Sequence, residues 1–130
     1  MQLQQIHHIA IIVSDSAAAK EFYIKKLGFS VIRENFRPAR GDWKLDLRLG
    51  EGPDSIELEI FAQPNAPRRL TRPEACGLRH LAFHVEDIFA TIAELNTQGI
   101  HCEPVRFDEF TGKPMTFFFD PDGLPLELHE

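Results

Sequence analysis

The sequence has only two cysteines in 130 residues, Cys76 and Cys102, in the contexts PEACGL and IHCEP. No CxxC pair or zinc-finger spacing accompanies them, so neither a disulfide framework nor a cysteine metal site is indicated, and both read as ordinary buried thiols. No apolar run approaches the ~18 residues that a membrane span needs. The N-terminal MQLQQ lacks the basic segment of a secretory leader, so a soluble cytoplasmic protein without membrane contact is expected. Basic residues are in deficit, with 14 Lys and Arg against 20 Asp and Glu and a net charge of −6. That is the wrong sign for neutralising a phosphate backbone, which argues against nucleic acid as a partner. What the chain does have is a globular composition, 43% hydrophobic and 26% charged, at a length suited to one domain.

It also has an internal repeat. HHIAIIVSDSAAAKEFYIKKLGF, from His7, aligns with RHLAFHVEDIFATIAELNTQGI, from Arg79: a histidine, an apolar strand-like run, Val-x-Asp, a helical pattern and a glycine. Asp15 and Asp87 fall at helix N-caps, where a carboxylate accepts bonds from free N–H groups, and Gly28 and Gly99 fall at left-handed C-caps. Ile88, Ile92 and Leu95, with Phe89 and Ala93 beside them, recur at helical spacing. Ala19, Phe22, Tyr23 and Leu27 do so less cleanly, and all of these residues are expected in the core. Three strand-like stretches follow each helix: 29–34, 43–49 and 55–61 in the first half, 102–107, 115–119 and 124–129 in the second. The last two are joined by Asp120-Pro121-Asp122-Gly123, a tight-turn sequence. The chain therefore reads as α+β, two βαβββ modules at about 1–61 and 79–130, with an aperiodic linker at 62–78 that holds three of the nine prolines. A sheet with one helix leaves its other face bare, so the modules are expected to shelter those faces as a curved open sheet.

The repeat delivers polar residues to matched places. His8 and His80 begin the first strands. In the closing strands Leu58 and Ile60, and Leu126 and Leu128, alternate with Glu57, Glu59 and Glu127, which puts the carboxylates on the face away from the helix. Two histidines and two glutamates related by the repeat suit one divalent metal ion with positions open for substrate. Zn2+, Ni2+, Co2+, Fe2+ and Mn2+ all accept such ligands. Glu57 and Glu59 share a face ~6.7 Å apart along the strand, so only one can be a ligand. His7 is expected on the other side of its strand. His84 stands ~13 Å along from His80 and is a candidate for the pocket wall only.

HHIAIIVSD, FYIKKLGF, PEACGLRHLAF and the closing DPDGLPLEL resemble the vicinal oxygen chelate superfamily, and within it the short bacterial glyoxalase-I-like proteins. The resemblance covers nearly the whole chain. It implies paired βαβββ modules around a metal held by His8, Glu59, His80 and Glu127, and it favours Glu59 over Glu57 because an apolar run and Pro64 follow it. It implies a homodimer with Ni2+ or Zn2+ foremost, and a 1,2 proton shift on the hemithioacetal of methylglyoxal and glutathione, in which Glu127 is the base and Glu59 a second acid or base. The scaffold also serves epimerases, thiol transferases, dioxygenases and non-catalytic binding modules. Lys44, Arg48, Arg37, Arg40, Lys113 and the cluster Arg68, Arg69 and Arg72 are available to the carboxylates of glutathione, but none lies in a specific motif.

Overall fold

The computed structural model describes all 130 residues. They form two compact units, Met1–Pro67 and Arg68–Glu130.

The first unit runs β1 (His8–Val13), α1 (Ser16–Ala19) continuing into a π-helical stretch (Lys20–Lys26), β2 (Ser30–Arg37), β3 (Asp42–Arg48) and β4 (Glu57–Ala62). Its mixed sheet has the order β1-β4-β3-β2, with β1 parallel to β4 and the other pairs antiparallel. Asp15 caps the helix, its carboxylate accepting the Ala18 N–H at 3.0 Å. Ala19, Phe22 and Tyr23 are buried, as are Leu45, Leu47, Leu58 and Ile60, the inward members of the alternating strands. The π-helical turns explain the imperfect α spacing of the apolar residues: Leu27 N–H bonds back five residues to the Phe22 carbonyl at 3.0 Å, so the apolar stripe drifts from a 3.6 period. Gly28, at φ +80°, then turns the chain into β2. β2 reaches Arg37, beyond the expected 29–34, because the Gly41 turn folds it onto β3 along its whole length, with one irregularity between Val31 and Arg33.

The second unit repeats the plan with β5 (Leu81–His84), α2 (Ile88–Thr97), β6 (Arg106–Phe107), β7 (Pro114–Phe119) and β8 (Pro125–His129), ordered β5-β8-β7-β6 with β5 parallel to β8. Asp87 caps α2 through the Ala90 N–H at 2.9 Å. Ile88, Leu95, Leu126 and Leu128 are buried in its core. Phe89 and Ala93 are exposed, against expectation, since the helix buries a narrower stripe than its apolar residues could fill. Only Arg106 and Phe107 of the expected 102–107 strand are in strand geometry, because Pro104 has no N–H to give the ladder. The segment still lies along β7: Glu103 N–H donates to the Phe117 carbonyl at 2.8 Å, and the buried Thr116 hydroxyl donates to the Glu103 carbonyl at 2.6 Å. The turn at 120–123 is held by Asp120, whose carboxylate accepts the N–H groups of Asp122 and Leu124 at 2.9 and 2.8 Å.

Both units are therefore four-stranded mixed sheets backed by one helix, and neither closes into a barrel. No helix is long and apolar enough to cross a membrane. Neither cysteine is buried as expected: Cys76 is exposed and Cys102 only partly covered, and both are unpaired.

Candidate metal centre

In the first unit His8, at the start of β1, directs Nε2 to Glu59 Oε2 at 3.6 Å. The ladder sets Glu57 directly beside His8, yet the side chains meet on the diagonal, because Glu59 pairs with Ala10, whose methyl leaves room over the strand. Glu57 turns instead toward Arg33, 3.6 Å away. Glu59 has a second partner in Lys44, whose ammonium donates to Oε1 at 3.0 Å and also lies 3.2 Å from Asp46. The Lys44 pKa is raised, chiefly by that bond to Glu59. Asp46, fully buried and directly across β3–β4 from Glu59, is further paired with Arg33 Nε at 2.5 Å.

The second unit builds the same pair on the same register. Ala82 pairs with Glu127 as Ala10 does with Glu59, and His80, two residues before it, places Nε2 at 2.8 Å from Glu127 Oε2. The surroundings differ. Phe117 stands across from Glu127 where Asp46 faces Glu59, and its ring packs edge-to-face on His80 with centroids 5.2 Å apart. His80 Nδ1 is buried without a hydrogen-bond partner. The position of Glu57 is taken by Pro125, so this half offers one carboxylate only.

Each pair presents an imidazole nitrogen facing a carboxylate oxygen, a donor set that suits zinc, nickel or a neighbouring divalent ion. The four candidates are thus brought together two by two within their units. Neither unit gathers three or more His, Cys, Asp or Glu side chains into a group able to hold a metal. His7 does not leave for the other face: its Nδ1 lies 2.9 Å from that of His8, the rings in a T-shaped contact. His84 is exposed and takes no part in the cavity beside His80.

Sequence reasoning missed the company these residues keep. Lys44 is not free for a substrate carboxylate, and Arg37 is committed to Asp42 through two hydrogen bonds of 2.6 and 2.5 Å. That contact lowers the Asp42 pKa and raises that of Arg37. Of the named cations, Arg69 and Arg72 line a cavity of about 230 Å³ in the second unit, together with His80 and two unforeseen arginines, Arg79 and Arg106. The stretch around Arg69 folds back onto its own unit: the Arg69 guanidinium donates to the carbonyls of Leu78 and Arg79 at 2.9 and 3.1 Å, and Thr71 reaches the Gly123 carbonyl at 3.3 Å.

Matched His–Glu pairs on repeated βαβββ units are accompanied by a match of residues 5–128 to the model of the Glyoxalase/Bleomycin resistance protein/Dioxygenase superfamily. The chain belongs to this superfamily. It is 55% identical to "Uncharacterized protein YwkD" of Bacillus subtilis (strain 168), covering 100% of this chain and 99% of that protein. It is 32% identical to the 2-epi-5-epi-valiolone epimerase of an Actinomyces species, over 95% of this chain and 77% of the epimerase. Among solved structures, the glyoxalase family protein from Enterococcus faecalis superposes with a TM-score of 0.92 at 62% identity, covering 100% of both chains. Superfamily members commonly use a divalent metal, bind small molecules and often form dimers, and they include glyoxalase I and epimerases.

Proposed function

We propose that the chain is a metal-dependent, glyoxalase-I-like lyase that isomerises the hemithioacetal of an α-oxo-aldehyde and a thiol, glutathione foremost, working as a homodimer in the cytoplasm. The observation that carries the reading is the repetition of one His–Glu pair, His8–Glu59 and His80–Glu127, at one register on both units. Two such halves, joined within a chain or between two chains, make a four-ligand set of two nitrogens and two oxygens. His8, Glu59, His80 and Glu127 would hold a divalent ion, Ni2+ or Zn2+ first among the candidates, which would supply electrophilic stabilisation of the developing negative charge.

Glu127 is the base. It removes the proton from the carbon that bears sulfur and oxygen, leaving an enediolate, and returns it to the adjacent carbon to give the hydroxyacyl thioester. Its carboxylate is covered and braced by the His80 imidazole, whereas Glu59 is fixed by Lys44 and serves as the standing ligand and second acid or base. The two unpaired cysteines support a reducing compartment.

Epimerisation is a second reading, favoured by the 32% identity to 2-epi-5-epi-valiolone epimerase. It uses the same proton abstraction next to a carbonyl, with return to the opposite face of one carbon. Apo protein reloaded in parallel with Ni2+, Co2+, Zn2+ and Mn2+ and assayed with methylglyoxal and glutathione tests the proposal. Thioester formation with at least one metal is expected. Failure with all four removes glyoxalase activity and leaves the epimerase reading, tested by solvent deuterium wash-in at the carbon next to the carbonyl of polyhydroxylated carbocyclic ketones.

A further inference from the structure

The cavity in the second unit is lined by four arginines, Arg69, Arg72, Arg79 and Arg106, and by only two carboxylates, Glu74 and Glu103. We propose that it binds an oxyanion, a carboxylate or a phosphate, carried by the small molecule that reacts at the neighbouring His80–Glu127 pair. That the molecule reacts there rests on the function proposed above; the anion site rests on the cavity itself.

The commitments of the four guanidinium groups decide which of them receive the anion. Arg79 is spent on Glu74 through a two-pronged contact, Nε to Oε2 at 3.0 Å and Nη2 to Oε1 at 3.2 Å. The contact lowers the Glu74 pKa and raises that of Arg79, so both ends stay charged near neutral pH. Arg69 is spent on the Leu78 and Arg79 carbonyls and fixes the loop that carries the other groups. Arg106 is 3.7 Å from Glu103, beyond hydrogen-bond reach. Arg72 enters no hydrogen bond or ion pair. Arg72 and Arg106 therefore bring two guanidinium forks with unfilled donors to one cavity. Such forks match the paired oxygens of a carboxylate or phosphate.

The opposite wall is apolar, formed by Phe117, Phe119 and Pro125, and a dry wall strengthens a charge-assisted bond made against it. The same wall fixes the distance to the chemistry. The Arg106 guanidinium carbon lies 5.4 Å from the centroid of the Phe117 ring, which also packs edge-to-face on the His80 imidazole. An anion on Arg106 is thus one aromatic ring away from His80, the span of a short carbon chain between an anionic end and a reactive carbon. The volume is below the ~300–1,000 Å³ of usual small-molecule sites, so the cavity takes a charged end group and not a whole large ligand. On a chain of net charge −6, a cavity lined by four arginines and two carboxylates is a local attractor for anions.

The test is calorimetric titration of metal-free, full-length protein at low salt with inorganic phosphate and, separately, with glutathione, which carries carboxylates but no phosphate. Saturable binding of at least one probe is expected, weakened ~10-fold or more by Arg72→Gln and by Arg106→Gln. Arg72→Lys, which keeps the charge but not the fork, should lose less and serves where the glutamine variant does not fold. Arg40→Gln, on the β2–β3 turn of the other unit, should bind as wild type. Phosphate binding alone points to a phosphorylated substrate, and glutathione binding alone to a carboxylate. The proposal falls if neither probe binds, if the Arg72 and Arg106 variants bind as wild type, or if Arg40→Gln loses as much as they do. Because no metal is present, anion binding that persists in a protein unable to load metal leaves this site standing and removes the metal reading. Metal loading without anion binding does the reverse.

Discussion

Lys44 Nζ lies 3.0 Å from Glu59 Oε1, and the strand register puts Met115 in the corresponding place beside Glu127. The same substitution of apolar for charged recurs one step along, Phe117 for Asp46. Two carboxylates on one motif therefore have unlike freedom: Glu59 is held by a fixed ammonium, and Glu127 has an imidazole and an aromatic ring as neighbours.

If the roles divide as this asymmetry indicates, Glu127→Gln should lower kcat by ~10²–10⁴, the usual contribution of a general acid–base group, with a smaller fall in metal content. Glu59→Gln should show the opposite balance. Turnover and metal analysis on the same preparations check this, and near-normal turnover in Glu127→Gln would remove it as the base.

Lys44 shares Glu59 with any cation that binds there. Lys44→Met should therefore tighten metal binding in a chelator competition. It should also lower stability toward urea by about 1–3 kcal/mol, because the buried Asp46 keeps only Arg33. Metal affinity that falls in this variant would mean that Lys44 shapes the site instead of competing for it.

The Arg37–Asp42 pair sets a pH dependence. The hydrogen bond from Arg37 holds the Asp42 carboxyl below the ordinary carboxylate range, so its stabilisation is present in full above that range and is lost as pH falls through the lowered value. Wild type should exceed Arg37→Gln in urea midpoint at pH 7, and the gap should close on acidification below about pH 4. A gap that is independent of pH would assign the effect to packing on Phe61, over which the Arg37 guanidinium lies at 4.5 Å.

If each His–Glu pair supplies two ligands, as proposed, the way the pairs combine is open to a mixing experiment. A homodimer is expected by light scattering. Refolding His8→Ala chains with His80→Ala chains should restore part of the activity where a site is shared between subunits, since some dimers then hold one intact site. It restores none where both halves come from one chain.

Much of the fold was readable because the repeat states it twice. The capping Asp15 and Asp87 and the turn at Asp120 are local signals that hydrogen bonds within a few residues enforce, and the matched places of His8 and His80 follow from the repeat itself. The resemblance already favours Glu59 over Glu57 from the apolar run and Pro64 that follow it; alternation gives both the same face, and register adds that Glu59 sits beside Ala10 and that in the second half Pro125 stands where Glu57 does. Lys44 and Asp46 stayed hidden. Their meeting with Glu59 depends on which β3 residue faces which β4 residue, a property of two segments together. The stretch around Arg69 looked like a free linker because its anchors, the carbonyls of Leu78, Arg79 and Gly123, are backbone atoms that carry no sequence mark.

The parallel pairings β1–β4 and β5–β8 also order events in time. Each His-bearing strand opens its unit and joins the strand that closes it, so a histidine meets its glutamate only after the hairpins between them have formed, when the loop-closure entropy of almost a whole unit has been met. Refolding kinetics should accordingly give φ-values near zero for Ile11→Val and Leu81→Ala and higher ones for Leu45→Ala and Leu47→Ala in the β2–β3 hairpin. High values at Ile11 and Leu81 would reverse that order. On this sequence of events a nascent chain carries its candidate ligands apart until the sheet is nearly complete, and the half-site is the last part of each unit to come into being.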